Sequence, residues 1–417
     1  MQRRVSRPSV RFELGWHLAV PAAVSGVLGI YQLGAPSLWI DEALTAWAID
    51  QSYRDLLHEI QFGHFALVKT WAELAGTSEV ALRLPSVVGG VVAVLLMYGL
   101  ARTMFDERIG FVAALLLALN PFVVMWSQQA RAYSIVVALV IAATWLLLRA
   151  LEKNGLHAWA AYVVVLICLI FWQTFSALVF LPAHVLMGWR SWGARISWCI
   201  AAAYSVPWFM HIGNRHELEL PTSWIQEPTV GDVVQALTQL SGALGIGLAL
   251  AIVGMAFAER YRALLGTWAL LPLVLSLVAS LIDPVFVSRY LIVSCPAFAM
   301  LGAIALARLT GRLRAVAVVA VSAGTIVGLV LWYSPDGSDN WNGENWRAAT
   351  AMVMRDGGAR VVPKWAETPY TYYGGRLAET GWVIERLDVD AEEFEANPHV
   401  RAQFGEKLRV LRRPSGP

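Results

Sequence analysis

Ser37-Leu38-Trp39-Ile40-Asp41-Glu42-Ala43-Leu44-Thr45-Ala46 sets two adjacent carboxylates directly behind a stretch of membrane-spanning length. A charge at the hydrocarbon boundary costs roughly 2.5–3.5 kcal/mol on insertion scales, so an acidic pair kept there asks for a function. Trp39, Ile40 and Trp47 flank it and hold it at that depth. The structural explanation is a helix start, with Asp41 as cap and Glu42 in the first turn, where acidic groups offset the helix dipole. The two readings are compatible, because a capping aspartate can also carry chemistry.

Composition fixes what surrounds this stretch. Of 417 residues 57% are hydrophobic and only 15% charged, 19 are Trp, and the mean hydropathy is +0.55. That excludes an ordinary soluble protein. A net charge of +2 offers no basic field for nucleic acid. Cys168, Cys199 and Cys295 lie inside apolar runs and match no metal spacing, so they read as packing residues. The basic start at Arg3, Arg4, Arg7 and Arg11 leads into a segment of spanning length without a cleavage site of small residues.

Apolar stretches of spanning length fall at 15–34, 82–101, 109–126, 133–151, 158–175, 177–189, 196–212, 235–257, 263–282, 290–307 and 315–333. The expected fold is therefore a polytopic α-helical membrane protein of about eleven transmembrane helices. With the N-terminus cytoplasmic, inside loops carry fifteen Lys and Arg, and outside loops carry six: Arg54, Lys69, Arg83, Arg131, Arg215 and Arg289. The positive-inside rule then puts Asp41 and the tail after Tyr333 on the outer face.

The outer loops have their own pattern. Leu44, Trp47, Ala48, Leu56, Leu57 and Ile60 follow helical spacing over 43–60, and Phe65, Val68, Trp71 and Leu74 do so over 65–75. Both predict short helices along the interface, within an external loop spanning 35–81. An irregular segment from His211 to Asp232 contains Pro221, Trp224 and Pro228. A turn-rich linker at 334–343 separates the membrane domain, 1–333, from a small extracytoplasmic α/β domain at 344–417. There the patterns predict helices at 344–356, 367–373 and 390–404 and strands at 359–363, 381–386 and 407–412.

Beyond Asp41 and Glu42, the informative residues are the outer-face arginines. Arg131 in Trp126-Ser127-Gln128-Gln129-Ala130-Arg131-Ala132-Tyr133 breaks the positive-inside trend, as does Arg289 beside Tyr290. A guanidinium binds phosphate oxygens through two parallel bonds, which a lysine cannot do. A snorkelling anchor is the structural alternative. Arg83, in Ala81-Leu82-Arg83-Leu84-Pro85-Ser86, reads first as an interfacial anchor, and His64 as a structural histidine or a ligand to a sugar hydroxyl or phosphate. The cluster His211, Arg215, His216, Glu217 and Glu219 reads as a solvated loop face. No nucleotide-binding glycine loop and no metal-ligand grouping is present in the sequence. An outer-face enzyme without a nucleotide site needs a donor already activated and already in the membrane.

Taken in order and spacing, these motifs with Ser288-Arg289-Tyr290-Leu291 resemble the GT-C membrane glycosyltransferases. The branch they resemble is the bacterial mannosyltransferase-like one related to protein O-mannosyltransferases and lipid A aminoarabinose transferases. The resemblance implies a polyprenyl-phosphate sugar donor, transfer on the outer face, and an acidic residue of the first loop at the catalytic centre; the expected reaction is an inverting transfer of a mannose-like or other hexose or pentose. On that basis Asp41 is expected as general base, with Glu42 orienting the acceptor or supporting the base. Arg131, Arg289 and Tyr290 are expected on the donor phosphate, and His64, Gln128, Tyr133 and Arg83 on other substrate groups. The acceptor is an extracytoplasmic glycolipid, glycan or protein; membrane lipids are the other partner, and no cofactor is required, although a divalent cation is compatible with the chemistry. Two positions depart from the branch, with His64-Phe65-Ala66 where relatives often have His-Pro-Pro, and Gln129 where they have Glu. The rival classes are a lipid or sugar-lipid transporter, which predicts charges at mid-span, and a non-catalytic glycolipid-binding relative.

Overall fold

The computed structural model describes residues 15–213, 225–334, 344–378, 381–386, 400–404 and 407–412. The chain enters with α1 (Trp16–Ile30), then α2 (Ile40–Asp50), α3 (Tyr53–Leu56) and α4 (Phe62–Ala75) form a loop layer over the helix ends. The membrane helices follow: α5 (Glu79–Met104), α6 (Glu107–Ala118), α7 (Pro121–Ser127), α8 (Tyr133–Lys153), α9 (Leu156–Trp172), α10 (Thr174–Gly188) and α11 (Trp192–Gly213). After these come α12 (Val230–Ser241), α13 (Ile246–Phe257), α14 (Arg262–Ala279), α15 (Cys295–Arg308) and α16 (Gly311–Tyr333).

Among the described residues five helices are long and apolar enough to cross a membrane, or seven if each of two bent pairs is one span. Three shorter apolar helices, α1, α9 and α10, accompany them. With α11 these occupy the positions of the eleven expected stretches, but length and composition alone support five to seven crossings. The segment Ser288–Arg308 is the most enclosed of the five and α16 the least. Val316, Val319, Ile326 and Val330 of α16 are exposed, as a lipid-facing surface requires.

Two expected spans are not straight. The stretch 109–126 bends by 62° between α6 and α7. There Asn120 caps α7 by accepting from the Phe122 amide, and Pro121 occupies the first turn. The stretch 235–257 bends by 111°. Gly242 at φ +75° and Gly245 at φ +85° provide left-handed backbone at the corner, so α12 lies across the bundle end rather than through it. Its start is fixed by a capping box between Thr229 and Asp232.

The expected helix over 43–60 is also two helices, because Gln51 is extended and Ser52 caps α3 by accepting from the Asp55 amide. Inside the bundle, an apolar run conceals a neutral polar network that ties four helices. His184 bonds Thr144 at 3.1 Å and Tyr162 at 2.9 Å, and Trp198 Nε1 donates to the Tyr162 hydroxyl at 3.1 Å. Such bonds hold helices together in lipid, where apolar contact gives no net drive.

The C-terminal domain contains α17 (Trp346–Met354), β1 (Arg360–Val362), α18 (Glu367–Tyr372), β2 (Trp382–Arg386), β3 (Val400–Gln403) and β4 (Leu408–Arg412). The sheet order is β1-β2-β4-β3, with β1 and β2 parallel and the other pairs antiparallel. Its core is Trp346, Val353, Val361, Tyr370, Ile384, Leu408 and Val410. The expected helix 390–404 is corrected at its end, where residues 400–403 form β3 against β4; residues 387–399 lie outside the described residues, as do 335–343 of the linker. Trp224 and the cluster Arg215, His216, Glu217 and Glu219 also lie outside them.

Candidate active site

The two adjacent carboxylates part company at the start of α2. Glu42 is fully buried and meets Arg83 side by side, Nε to Oε1 at 2.8 Å and Nη2 to Oε2 at 2.6 Å. Its Oε1 also accepts from the Ala130 amide at 2.7 Å. Arg83 spends its remaining donors on the carbonyls of Leu33, Pro36 and Ser37. This corrects the reading of Arg83 as an interfacial anchor or substrate ligand, since it is 1% exposed with its donors engaged inside the protein. Glu42, with both oxygens engaged, is not presented to an acceptor.

Asp41 faces the other way. Its carboxylate Oδ2 is 3.6 Å from Arg289 Nη2 and 4.0 Å from Arg131 Nη2, with a fifth of the Asp41 side chain exposed. Arg131 Nη1 donates to the Asp41 carbonyl at 2.9 Å. Three stretches far apart in the chain thus meet at one point. Two guanidiniums thus converge on the Asp41 carboxylate in a largely enclosed place, and guanidiniums are the groups that bind phosphate oxygens through two parallel bonds. These ion-pair separations are longer than a hydrogen bond, and Arg131 Nε is buried with no acceptor among the described residues.

The aromatic expectations fall beside this cluster. The Arg289 guanidinium lies 5.8 Å from the Trp39 ring and 5.5 Å from that of Tyr290. Tyr133 is buried against Trp126 with ring centroids 4.4 Å apart, and its ring is 6.5 Å from that of Tyr290. Ser176 donates to the Tyr290 carbonyl at 2.8 Å, anchoring the short 3-10 helix Ser288–Ser294 that carries Arg289.

The turn bearing Arg131 is held from several sides. Thr45 and His64 both donate to the Ala130 carbonyl, at 2.8 Å and 3.1 Å, and Ser86 donates to the Arg131 carbonyl at 2.9 Å. His64 sits in the first turn of α4, not in a loop, and is fully buried. Burial, with Arg131 adding to it, lowers its pKa to about 3, so the ring is neutral, and its Nδ1 finds no partner among the described residues. Gln128 is corrected from a substrate ligand to a tie. Its amide donates to the carbonyls of Leu28, Gly29 and Tyr31 and accepts from Trp332 Nε1 at 2.6 Å. Gln129 accepts from Trp39 Nε1 at 2.7 Å.

A cavity of about 210 Å³ opens next to Arg289, lined by Ile225, Gln226, Asp232, Gln235, Phe286 and Ser288 among others. A larger one of about 580 Å³, with Arg149, Glu152, Arg260 and Tyr261 in its wall, lies at the opposite end of α5 and α8 and is remote from Asp41. Among the described residues no three His, Cys, Asp or Glu gather as metal ligands. Sequence reasoning missed Glu344 and Tyr373 of the C-terminal domain, which reach the loop ahead of Asp41; neither carries a motif, and only the fold brings them there.

Comparisons with known proteins agree with this architecture. The family model described as dolichyl-phosphate-mannose-protein mannosyltransferase matches residues 62–212. The structure of ArnT from Cupriavidus metallidurans bound to undecaprenyl phosphate superposes with a TM-score of 0.64 at 14% identity, covering 97% of this chain and 100% of that one. Its apo form gives 0.65 at 14% identity, covering 97% and 99%. The Archaeoglobus fulgidus oligosaccharyltransferase in its apo form gives 0.53 at 14% identity, covering 89% of this chain and 61% of that one. A search of curated proteins returns no match. The resemblance read from the motifs is thus supported by the family model and by fold.

Proposed function

We propose that this chain, a multi-pass membrane protein with the GT-C glycosyltransferase fold, transfers a sugar from a polyprenyl-phosphate donor to a hydroxyl acceptor, with inversion at the anomeric carbon. The observation that carries the reading is the carboxylate of Asp41 set beside the guanidiniums of both Arg131 and Arg289. Arg131 and Arg289 grip the donor phosphate, with the lipid tail in the bilayer. The acceptor oxygen attacks the anomeric carbon, its proton passes to Asp41, and the bond from that carbon to the phosphate oxygen breaks with its electrons leaving on polyprenyl phosphate. A positioned base contributes typically about 10²–10⁴-fold, and preorganised cations on the departing phosphate supply the electrostatic part of the rate. Glu42 and Arg83 serve this step by fixing the loop and the Ala130 turn. Tyr133 and Tyr290 wall the site, and the cavity beside Ser288 offers room for an acceptor.

Several features favour chemistry over transport. Among the described residues the buried ion pairs of the membrane domain, Glu42 with Arg83 and Asp41 with its two arginines, gather at the start of α2. The polar network around His184 inside the bundle is made of Thr144, Tyr162 and Trp198. By the charge asymmetry of the loops, the outer layer and the C-terminal domain face away from the cytoplasm.

The test is incubation of purified protein with a panel of polyprenyl-phosphate sugars. Sugar-dependent release of polyprenyl phosphate from at least one donor is expected. Its absence across mannose, glucose and arabinose donors, with membrane extract supplying acceptors, would overturn the reading.

A further inference from the structure

Helix α2 starts without a cap of its own. Trp39 precedes it in extended conformation and offers no capping side chain, yet the first amides of a helix need acceptors. Glu344 of the C-terminal domain supplies one, its Oε2 accepting from the Ile40 amide at 3.1 Å. Glu344 is 1% exposed. It accepts also from Trp346 Nε1 at 2.8 Å, and Arg386 of β2 pairs with its Oε1 at 2.8 Å. A carboxylate at this end of a helix is favoured by the dipole, and the arginine offsets the cost of burying it.

The neighbouring loop is tied to the same domain. The Leu38 amide donates to the Tyr373 hydroxyl at 2.7 Å, and that hydroxyl donates to Glu79 at the start of α5. Arg347 of α17 donates to the carbonyls of Gly34 and Ala35, both at 3.1 Å. Asp41 is the next residue after Ile40, and its own carbonyl is taken by Arg131. The peptide that carries the carboxylate is therefore held from the C-terminal domain on one side and from the Arg131 turn on the other.

We propose that Glu344 is a positioning residue, a helix cap supplied across domains, which fixes the start of α2 and so sets Asp41 against Arg131 and Arg289. The C-terminal domain is then a working part of the active site. The catalytic consequence rests on Asp41 being the base, but the cap itself does not.

Full-length protein in lipid nanodiscs tests both. Hydrogen exchange is followed in peptides covering Leu38 to Ala43, and kcat and donor KM are measured alongside. Glu344→Ala should raise exchange in that segment and lower kcat by about 10- to 100-fold, the loss of one charge-assisted bond, with donor KM unchanged. Glu344→Gln keeps an acceptor oxygen and should fall between wild type and Glu344→Ala in both readouts. Tyr373→Phe, which removes the neighbouring tie, should raise exchange in the same segment and carries the test if Glu344→Ala does not fold. The control is Tyr370→Phe, whose hydroxyl bonds only inside the C-terminal domain, to Ala359 and Arg376; it should leave the segment and kcat as in wild type. Unchanged exchange in Glu344→Ala, or the same losses in Tyr370→Phe at equal stability, overturns the proposal. An inactive wild type overturns glycosyl transfer instead, and the exchange result still decides the cap.

Discussion

If Arg131 and Arg289 share one donor phosphate, removing both should cost less than the sum of removing each. Arg131→Lys keeps the charge but loses the planar fork, which is not a conservative change at such a site. It also loses the bond to the Asp41 carbonyl, so the base moves with it. One charge-assisted hydrogen bond is worth roughly 1.5–3 kcal/mol. At about 1.4 kcal/mol per decade, transfer should slow by one to two powers of ten. Arg131→Ala should be slower still, and Arg289→Ala should act in the same direction. Both arginines also approach the same Asp41 oxygen, at 4.0 Å and 3.6 Å, a shared partner that makes additivity fail. The assay is the initial transfer rate of the two alanine variants and the double variant with one fixed donor, in membranes matched for expression. Strict additivity, or unchanged rate and donor affinity in Arg131→Ala, would refute the shared clamp and return Arg131 to the role of a helix-end anchor.

Asp41→Asn keeps shape but removes the base and should lower turnover by about 10²–10⁴-fold while donor binding persists; wild-type rates would remove Asp41 from the chemistry. Glu42→Gln should act through stability, because breaking a buried ion pair costs about 3–5 kcal/mol; a thermal midpoint unchanged in detergent, with activity lost, would show instead that Glu42 meets substrate. His64 supplies a pH signature. Its ordinary pKa of 6.5 falls to about 3 on folding, so between those values the unfolded chain binds a proton that the folded protein does not. Stability should therefore fall as pH drops below 6.5, by up to about 1.4 kcal/mol per unit, and His64→Gln should flatten that slope in thermal melts taken from pH 7 to 4. His184→Ala should destabilise by about 0.6–1.7 kcal/mol, the range for polar ties between membrane helices, with kcat unchanged.

What the sequence made legible follows from which signals are local. Hydropathy located the apolar helices of the membrane domain, and a violated charge rule picked out Arg131 and Arg289 before anything showed that they meet. The breaks at Asn120 and Gly242 were hidden because apolar residues run straight through them, and only capping and left-handed backbone turn the chain. In the C-terminal domain α17, α18, β1, β2 and β4 fell close to their expected places, but residues 400–403 form a strand whose pairing with β4 is a tertiary fact. The roles of Gln128 and Arg83 were equally out of reach. A glutamine or arginine at a helix end looks the same whether it waits for a substrate or bonds three carbonyls of its own chain.

The acidic pair itself shows why adjacency misled. Successive residues on a helix point about 100° apart, so one helix start cannot aim both carboxylates at one substrate. The first turn of α2 sends Glu42 inward to Arg83 and the Ala130 amide, and Asp41 toward Arg131 and Arg289. The inward carboxylate locks the turn from which Arg131 projects, and Arg131 in turn holds the Asp41 carbonyl. Neither residue can shift without the other. On the proposed function the motif supplies one carboxylate for chemistry and one for the frame that aims it, and substitutions at the two positions should separate into loss of rate and loss of stability.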